Sequence, residues 1–347
     1  MAGGEGRRLK SVTGDTPKPM ALLAGKPVLE HILNLLKQNG VSDACLTLRY
    51  RPELIRDYFG GGERFGMRLA YHIETVPLGT AGGVRACAEF YGDRDFLVIS
   101  GDCACDFDLR ALMEAHRRHR CAVTMALYPH EAPLPYGTVL TSRDGKVVSF
   151  IEKPDWERVV SDLVNTGVYV VSPDAMGFVP EDAPFDFAKD LFPVLMSAGR
   201  EIFGLPMEGY WCDIGTPRAY FQCNLDALDG RLRLAAAEGA DAAPEPGSRA
   251  KSEEKTSAAS EAEKARREAV ARVELRCRGR ARLMRELSQK LMEAGTEFDA
   301  SDGLSLRAHG GSVRVAPAPD REALVISADS DALARDYEAL IRGLEKS

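Results

Sequence analysis

The sequence predicts an α/β sandwich followed by a small α+β domain, and three observations carry that reading. Strand-like and helix-like apolar segments alternate through residues 1–230. The composition shifts at Ala235 to Ala, Glu, Ser and Lys. The chain has 347 residues, enough for two domains.

The elements follow in order. Val28, Leu29, Ile32, Leu33, Leu35 and Leu36 repeat at helical spacing, and Pro27 suits a first turn. Residues 44–48 read as a strand, 52–59 as a short helix, 67–73 and 95–100 as two more strands, and 109–119 as a helix. Such alternation implies a mostly parallel sheet. At Asp144 and Gly145 the pattern becomes a hairpin, 138–141 with 147–151, which adds antiparallel strands and makes the sheet mixed. The first domain is placed at 1–232. Residues 233–266 read as a linker, with Pro244, Pro246 and Gly247 and no aromatic residue. Residues 267–347 read as the second domain: a helix over 281–292, strands over 312–315 and 323–327, and a helix over 330–344.

Bulk properties narrow the partners. A net charge of -7 argues against nucleic acid and anionic membranes. It leaves room for a small anionic substrate met by a local cluster of Lys and Arg. The 8 cysteines form no CxxC pair, and Cys103 with Cys105 is an isolated CxC, so reduced thiols are expected. Residues 1–10 hold no apolar signal core, and no apolar run approaches the roughly 18 residues of a membrane span. The expected location is the cytoplasm. A homo-oligomer is compatible with all of this.

The chemistry starts at the N-terminus. Gly3, Gly4 and Gly6 precede Arg8, and Lys18 lies between Pro17 and Pro19. Closely spaced glycines let backbone N–H groups approach phosphate oxygens, and Arg8 and Lys18 add countercharge. Asp102 follows the apolar strand 96–99, at the strand end where open α/β sheets bind ligands. Asp213 follows Tyr210, Trp211 and Cys212 in the same way. Two carboxylates with phosphate oxygens suit Mg²⁺, a hard cation. Asp106 and Asp108 are expected to cap the following helix.

These motifs stand in register with further ones: residues 77–82, Ser100 to Asp102, Tyr136 with Gly137, Glu152 to Pro154, Asn165 to Gly167, and residues 211–217. Together they resemble the sugar-nucleotide pyrophosphorylase family, and the wording is most similar to bacterial mannose-1-phosphate guanylyltransferases. Thymidylyltransferases usually place a Gln shortly before the Gly-Thr of the base loop, where this chain runs from Glu74 to Gly79. The resemblance implies a Rossmann-like nucleotidyltransferase three-layer sandwich. It also implies Mg²⁺ on Asp102 and Asp213, and transfer between a nucleoside triphosphate and a sugar 1-phosphate. By the same resemblance Lys153 and Lys18 contact phosphate, and Arg8 steadies the departing pyrophosphate. Gly79 and Thr80 receive the base, Glu152 meets the sugar hydroxyls, and Gly137 and Asn165 border the sugar. Trp211 is expected either near the sugar or in the core. Such a reaction brings two polyanions together. Like unit charges 4 Å apart repel by about 4 kcal/mol at an effective dielectric near 20, so cations are the required equipment.

Two departures are visible. The family begins with a short apolar strand before the glycine loop, whereas Met1 and Ala2 stand there in this chain. Either the start lies upstream or the sheet lacks its first, central strand, leaving ladder groups unpaired. At the other end, related bacterial proteins commonly continue into a left-handed β-helix, some with a phosphomannomutase-like module. Residues 277–347 resemble the last domain of that module through Cys277, Gly279, residues 283–285, Asp302, Gly303 and residues 310–320. Residues 316–322 offer one acid pair, one Arg and no hydroxyl, so that domain is read as non-catalytic. The leading reading is a GDP-mannose-forming enzyme. The alternatives are thymidylyl or uridylyl transfer to glucose 1-phosphate, and a non-catalytic nucleotide-sugar-binding regulator.

Overall fold

The computed structural model describes residues 1–181, 183–234, 271–308 and 311–345. The expected linker lies, from 235 onward, outside the described residues, as does Gly310. The chain divides into two units. Residues 1–153 and 162–238 form one, and 154–161 with 239–347 form the other.

Besides a two-residue pair, Leu22–Leu23 with Lys26–Pro27, the strands of the first unit are β1 (Asp43–Leu48), β2 (Arg68–Ile73), β3 (Phe96–Ile99), β4 (Cys103–Cys105), β5 (Val123–Pro129), β6 (Gly137–Thr141), β7 (Val147–Glu152), β8 (Leu163–Val171), β9 (Ile202–Pro206) and β10 (Trp211–Asp213). The main sheet runs β9-β5-β8-β6-β7, with β3 also on β8. Its mixed character agrees with the sequence, but the mostly parallel expectation does not hold. The long strand β8 pairs antiparallel with β3, β5 and β6, and only β9 with β5 is parallel. One returning strand thus reverses the sense that strand–helix alternation suggested.

The helices follow their sequence signals. Helix α1 (Val28–Gln38) buries Val28, Leu29, Ile32, Leu33, Leu35 and Leu36, the stripe read from spacing. Helix α2 (Pro52–Phe59) starts on its proline. In α3 (Gly79–Arg85) the first turn is held by the Phe185 carbonyl, which accepts from the Ala81 and Gly82 amides. Helix α4 (Leu109–His119) is capped by Asp108, which accepts from the Arg110 and Ala111 amides, and its last turn is basic. Asp106 is not a cap. Its carboxylate accepts from the Tyr210 amide at 2.7 Å and from Arg233. Helix α5 (Pro217–Leu228) has Thr216 as its N-cap and a proline at its start.

Strands β1 and β2 pair only with each other, parallel. Between β1 and β3 lies a cavity of about 810 Å³ lined by Leu33, Leu36, Leu46, Leu97 and Val170 among others. Met1 and Ala2 bridge one end of it. The Ala2 amide donates to the Thr47 carbonyl, the Met1 ammonium to the Ile99 carbonyl, and the Gly101 amide to the Met1 carbonyl. Among the described residues no ladder joins β1 to β3.

The second unit is a five-stranded antiparallel sheet, β11 (Ala271–Arg276), β15 (Ala323–Ala328), β14 (Gly311–Pro317), β13 (Leu304–Ala308) and β12 (Phe298–Asp299), in that spatial order. Helices α6 (Arg280–Glu293) and α7 (Asp331–Glu345) pack on it and on each other. Each expected element of this unit is present within one or two residues.

A short apolar strand fused ahead of Met1 is expected to fill the slot. About two or three buried apolar side chains at roughly 1.5–3 kcal/mol each raise the melting temperature by about 5 °C or more. Burial pulls the Met1 ammonium below its ordinary value, with Asp102 opposing. The unfolded chain therefore binds this proton more tightly, so stability rises with pH toward about 8. The fusion removes that rise. Equal melting curves for both chains across this pH range would contradict the account.

Candidate active site

The register of a small ladder brings the two predicted aspartates together. β4 and β10 pair antiparallel with Asp213 opposite Cys103, the residue after Asp102. The Ile214 amide donates to the Asp102 carbonyl at 3.3 Å. Lys18, in the 3-10 turn Lys18–Met20, sits between the carboxylates. Its Nζ donates to Asp102 Oδ2 at 2.6 Å and to Asp213 Oδ1 at 2.9 Å. Ser100 Oγ donates to the other Asp102 oxygen at 2.5 Å.

These contacts decide the charge states. Burial pushes the Asp102 carboxyl up, but Lys18 and the Ser100 hydroxyl outweigh it and hold it below the ordinary value. Burial pulls Lys18 down, and the two carboxylates more than restore it, so its pKa ends above the usual lysine range. Asp102 is therefore ionised and Lys18 charged at neutral pH.

Gly6 explains why a glycine stands before Arg7. Its φ is +65, and a Cβ there would lie 2.8 Å from the Lys18 Cβ. Gly3 passes the Arg49 backbone, with its Cβ position 3.4 Å from that amide nitrogen. Arg8 reaches over Gly215, whose Cβ position is 3.0 Å from Arg8 Nη2 and 2.7 Å from Asp213 Oδ2.

A cavity of about 470 Å³, within the usual range of small-molecule sites, collects these groups. Gly3, Gly4, Gly6, Arg8, Lys18, Gly79, Thr80 and Asp102 all line it. Gly79 has φ +72 and lies against the Phe185 carbonyl. The Thr80 hydroxyl donates to Asp186 at 2.9 Å and accepts from the Phe187 amide at 2.9 Å. Its side chain is therefore a loop tie.

The remaining predicted residues lie outside that lining. Asp213 joins it through Lys18. Gly137 faces Glu152 across the β6–β7 pair, and a Cβ on Gly137 would fall 2.8 Å from Glu152 Oε2. The glycine leaves space for that carboxylate, whose pKa burial raises, with Lys153 opposing. Lys153 is exposed, its Nζ 3.8 Å from Glu152, its φ +47, and its amide donates to the Tyr136 carbonyl. Asn165 Oδ1 accepts from the Gly167 amide and the Tyr169 hydroxyl. Burial, with Asp213 near, pushes the Tyr136 hydroxyl up to about 12, keeping it a neutral donor. Trp211 is core: it is 5% exposed and donates to the Thr166 carbonyl.

Sequence reasoning gave no role to Ser100, Arg49, Glu74 or Asp186, which also line the cavity. Glu74 Oε2 accepts from the Leu78 amide, and its carboxylate fills the space beside Gly83. Ser100 was legible in the motif, but its bond to Asp102 was not. Arg49, Glu74 and Asp186 carry no local signal at all.

Residues 1–230 match the family model described as nucleotidyl transferase. The chain belongs to the nucleotidyl transferase family. It is 33% identical over 257 residues to the UTP–glucose-1-phosphate uridylyltransferase of Synechocystis sp., covering 70% of this chain and 66% of that protein. It is 32% identical over 231 residues to the mannose-1-phosphate guanylyltransferase of Mycobacterium tuberculosis, covering 66% of this chain and 64% of that protein. The chain thus spans about two thirds of each curated relative or slightly less. Among solved structures, HddC from Yersinia pseudotuberculosis complexed with GMP-PN aligns with a TM-score of 0.56 at 28% identity, over 65% of this chain and 96% of that one. Among the described residues no helix of this nucleotidyl transferase is long and apolar enough to cross a membrane.

The two glycines of the loop make a paired test. Gly6→Ala places a side chain in a left-handed conformation and against Lys18, costing at least about 1–2 kcal/mol in denaturant unfolding. Gly4, with open space around its Cβ position, should tolerate Ala within about 0.5 kcal/mol. Equal costs at both positions would remove the packing argument.

Proposed function

We propose that the chain transfers a nucleotidyl group: a nucleoside triphosphate and a sugar 1-phosphate give a nucleoside diphosphate sugar and pyrophosphate. GDP-mannose is the product we assign. The observation that carries the reading is Lys18 between Asp102 and Asp213 at 2.6 and 2.9 Å, beside the glycine loop. The guanine assignment draws on the mycobacterial relative's name and on the GMP-PN complex.

A phosphate oxygen of the sugar 1-phosphate attacks the α-phosphorus. The bond from that phosphorus to the bridging oxygen breaks, and pyrophosphate leaves with the electron pair. No covalent intermediate on the chain is required. Loop amides from Gly3 to Gly6 cradle the triphosphate, and Arg8 neutralises the leaving pyrophosphate. Lys18 turns from the carboxylates to phosphate oxygen. Gly79 and Thr80 border the base. Lys153 holds the sugar phosphate, Glu152 and Asn165 the sugar hydroxyls, and Gly137 gives the sugar room.

The donor set of Asp102 and Asp213 fits a hard divalent cation such as Mg²⁺, because both carboxylates already converge on one positive charge. When bound there it supplies charge stabilisation at the α-phosphate and the leaving oxygens. Among the described residues no group of three or more acid, histidine or cysteine ligands forms, so Asp102 and Asp213 would hold such an ion together with oxygens of the substrate phosphates. We place the reaction in the cytoplasm, on the cysteine pattern. The 267–347 region takes no part in the chemistry: Arg321 is committed to Glu274 at 2.7 Å and to Asp320 at 2.6 Å.

A second reading, uridylyl transfer to glucose 1-phosphate, is favoured by the Synechocystis relative. A turnover panel of five nucleoside triphosphates against mannose, glucose and fucose 1-phosphates separates the two. Release of pyrophosphate with GTP and mannose 1-phosphate is expected to dominate, and dominance of UTP with glucose 1-phosphate would transfer the assignment. Asp102→Asn and Asp213→Asn should each lower turnover at least about a hundredfold with the fold retained. Near-parental turnover by either variant would remove that carboxylate from the site.

A further inference from the structure

The chain passes from β7 to β8 through residues 154–161, and these belong to the second unit rather than the first. Lys153 is the last residue before that passage. Its own conformation is unusual for a lysine, with φ +47, and its amide donates to the Tyr136 carbonyl at 3.0 Å. Without further restraint such a residue relaxes toward ordinary backbone geometry.

The second unit holds the following segment at several points. The Trp156 ring lies over the Arg280 guanidinium, 3.5 Å from Cζ to the ring centre. Arg280 is 6% exposed and is itself fixed by Nη1 donating to the carbonyls of Ala318 and Arg321. The Arg158 guanidinium donates to the Ser301 carbonyl at 3.2 Å. Arg314 stands 3.9 Å from the Glu157 carboxylate and 3.0 Å from Asp302. Gly303, at φ +68, lets the Glu157 carbonyl approach, with its Cβ position 3.1 Å from that oxygen. Asp155 closes the turn by accepting from the Arg158 amide. A loop that served only to join two strands would need none of these contacts.

We propose that the C-terminal unit is a clasp on this loop, and that Trp156 and Arg280 are positioning residues for Lys153. Gripping residues 154–161 fixes the chain immediately after Lys153, so fewer backbone states compete with the one that presents its ammonium to the sugar phosphate. The clasp acts on sugar-phosphate use and leaves the nucleotide cavity alone. It gives the unit a task that needs no reacting group of its own. This rests on the reading of Lys153 as the sugar-phosphate lysine.

The test uses the full chain and two variants, Trp156→Ala and Trp156→Phe. Neither removes the Arg280 bonds to Ala318 and Arg321, so the second unit stays folded, which its melting transition checks. Hydrogen exchange of the 154–161 amides reads the clasp directly, without reference to activity. Steady-state kinetics with GTP and mannose 1-phosphate read its effect. Trp156→Ala should speed exchange at 154–161 and raise KM for the sugar phosphate by roughly three- to tenfold. KM for the nucleotide should stay within about twofold, and Trp156→Phe, which restores an aromatic face, should recover most of the loss. Unchanged exchange in Trp156→Ala overturns the clasp whatever the activity. Faster exchange with an unchanged sugar-phosphate KM overturns the link to Lys153. No turnover by the parent chain with any substrate pair overturns the functional reading, and the positioning role with it, while exchange still reports whether the loop is gripped.

Discussion

Lys18 between Asp102 and Asp213 is the constraint around which the first unit is arranged. Two carboxylates brought side by side repel, and at 4 Å that repulsion is about 4 kcal/mol at an effective dielectric near 20. One buried ammonium answers both. Much of the local geometry serves that meeting. The β4–β10 register sets Asp213 opposite Cys103, and Ser100 fixes the second oxygen of Asp102. Gly6 gives Lys18 room to approach. Removing the ammonium would leave an uncompensated pair, the usual reason that truncating one partner of a buried ion cluster is costly.

The same arrangement reconciles an acidic protein with the polyanionic substrate proposed for it. The net charge is -7, yet the cavity lining holds Arg7, Arg8, Lys18 and Arg49. A concave site focuses that local positive field whatever the overall balance. The acids in the lining are committed: Asp102 to Lys18 and Ser100, Asp186 to Thr80, Glu74 to the Leu78 amide. Lys18 is paired with both aspartates and Arg7 with Glu5, so among the described residues Arg8 and Arg49 are the lining cations without an ion pair.

Much of this was legible in the sequence because it is local. Helical stripes, the cap at Asp108, Pro52 at its helix start and the strand-end aspartates all follow from short-range rules. What was not legible is long-range. Strand direction depended on β8 returning between β3 and β5, which no local pattern encodes. Asp106 sits where a helix cap could sit, but the Tyr210 amide and Arg233, more than a hundred residues away, take its carboxylate. Lys18 was read as a phosphate ligand, and the two carboxylates it bonds lie 84 and 195 residues distant. Trp211 had two equal readings, and only the Thr166 carbonyl decided for the core. The grip of the second unit on residues 154–161 belongs to the same class, since Trp156 and Arg280 share no motif.

The most direct test of the central claim is turnover by Lys18→Met under saturating GTP, mannose 1-phosphate and Mg²⁺, with circular dichroism to show that the fold persists. The account predicts a folded protein whose pyrophosphate release falls at least about a hundredfold, because the group that answers both carboxylates and meets phosphate is gone. A folded variant with near-parental turnover would contradict it.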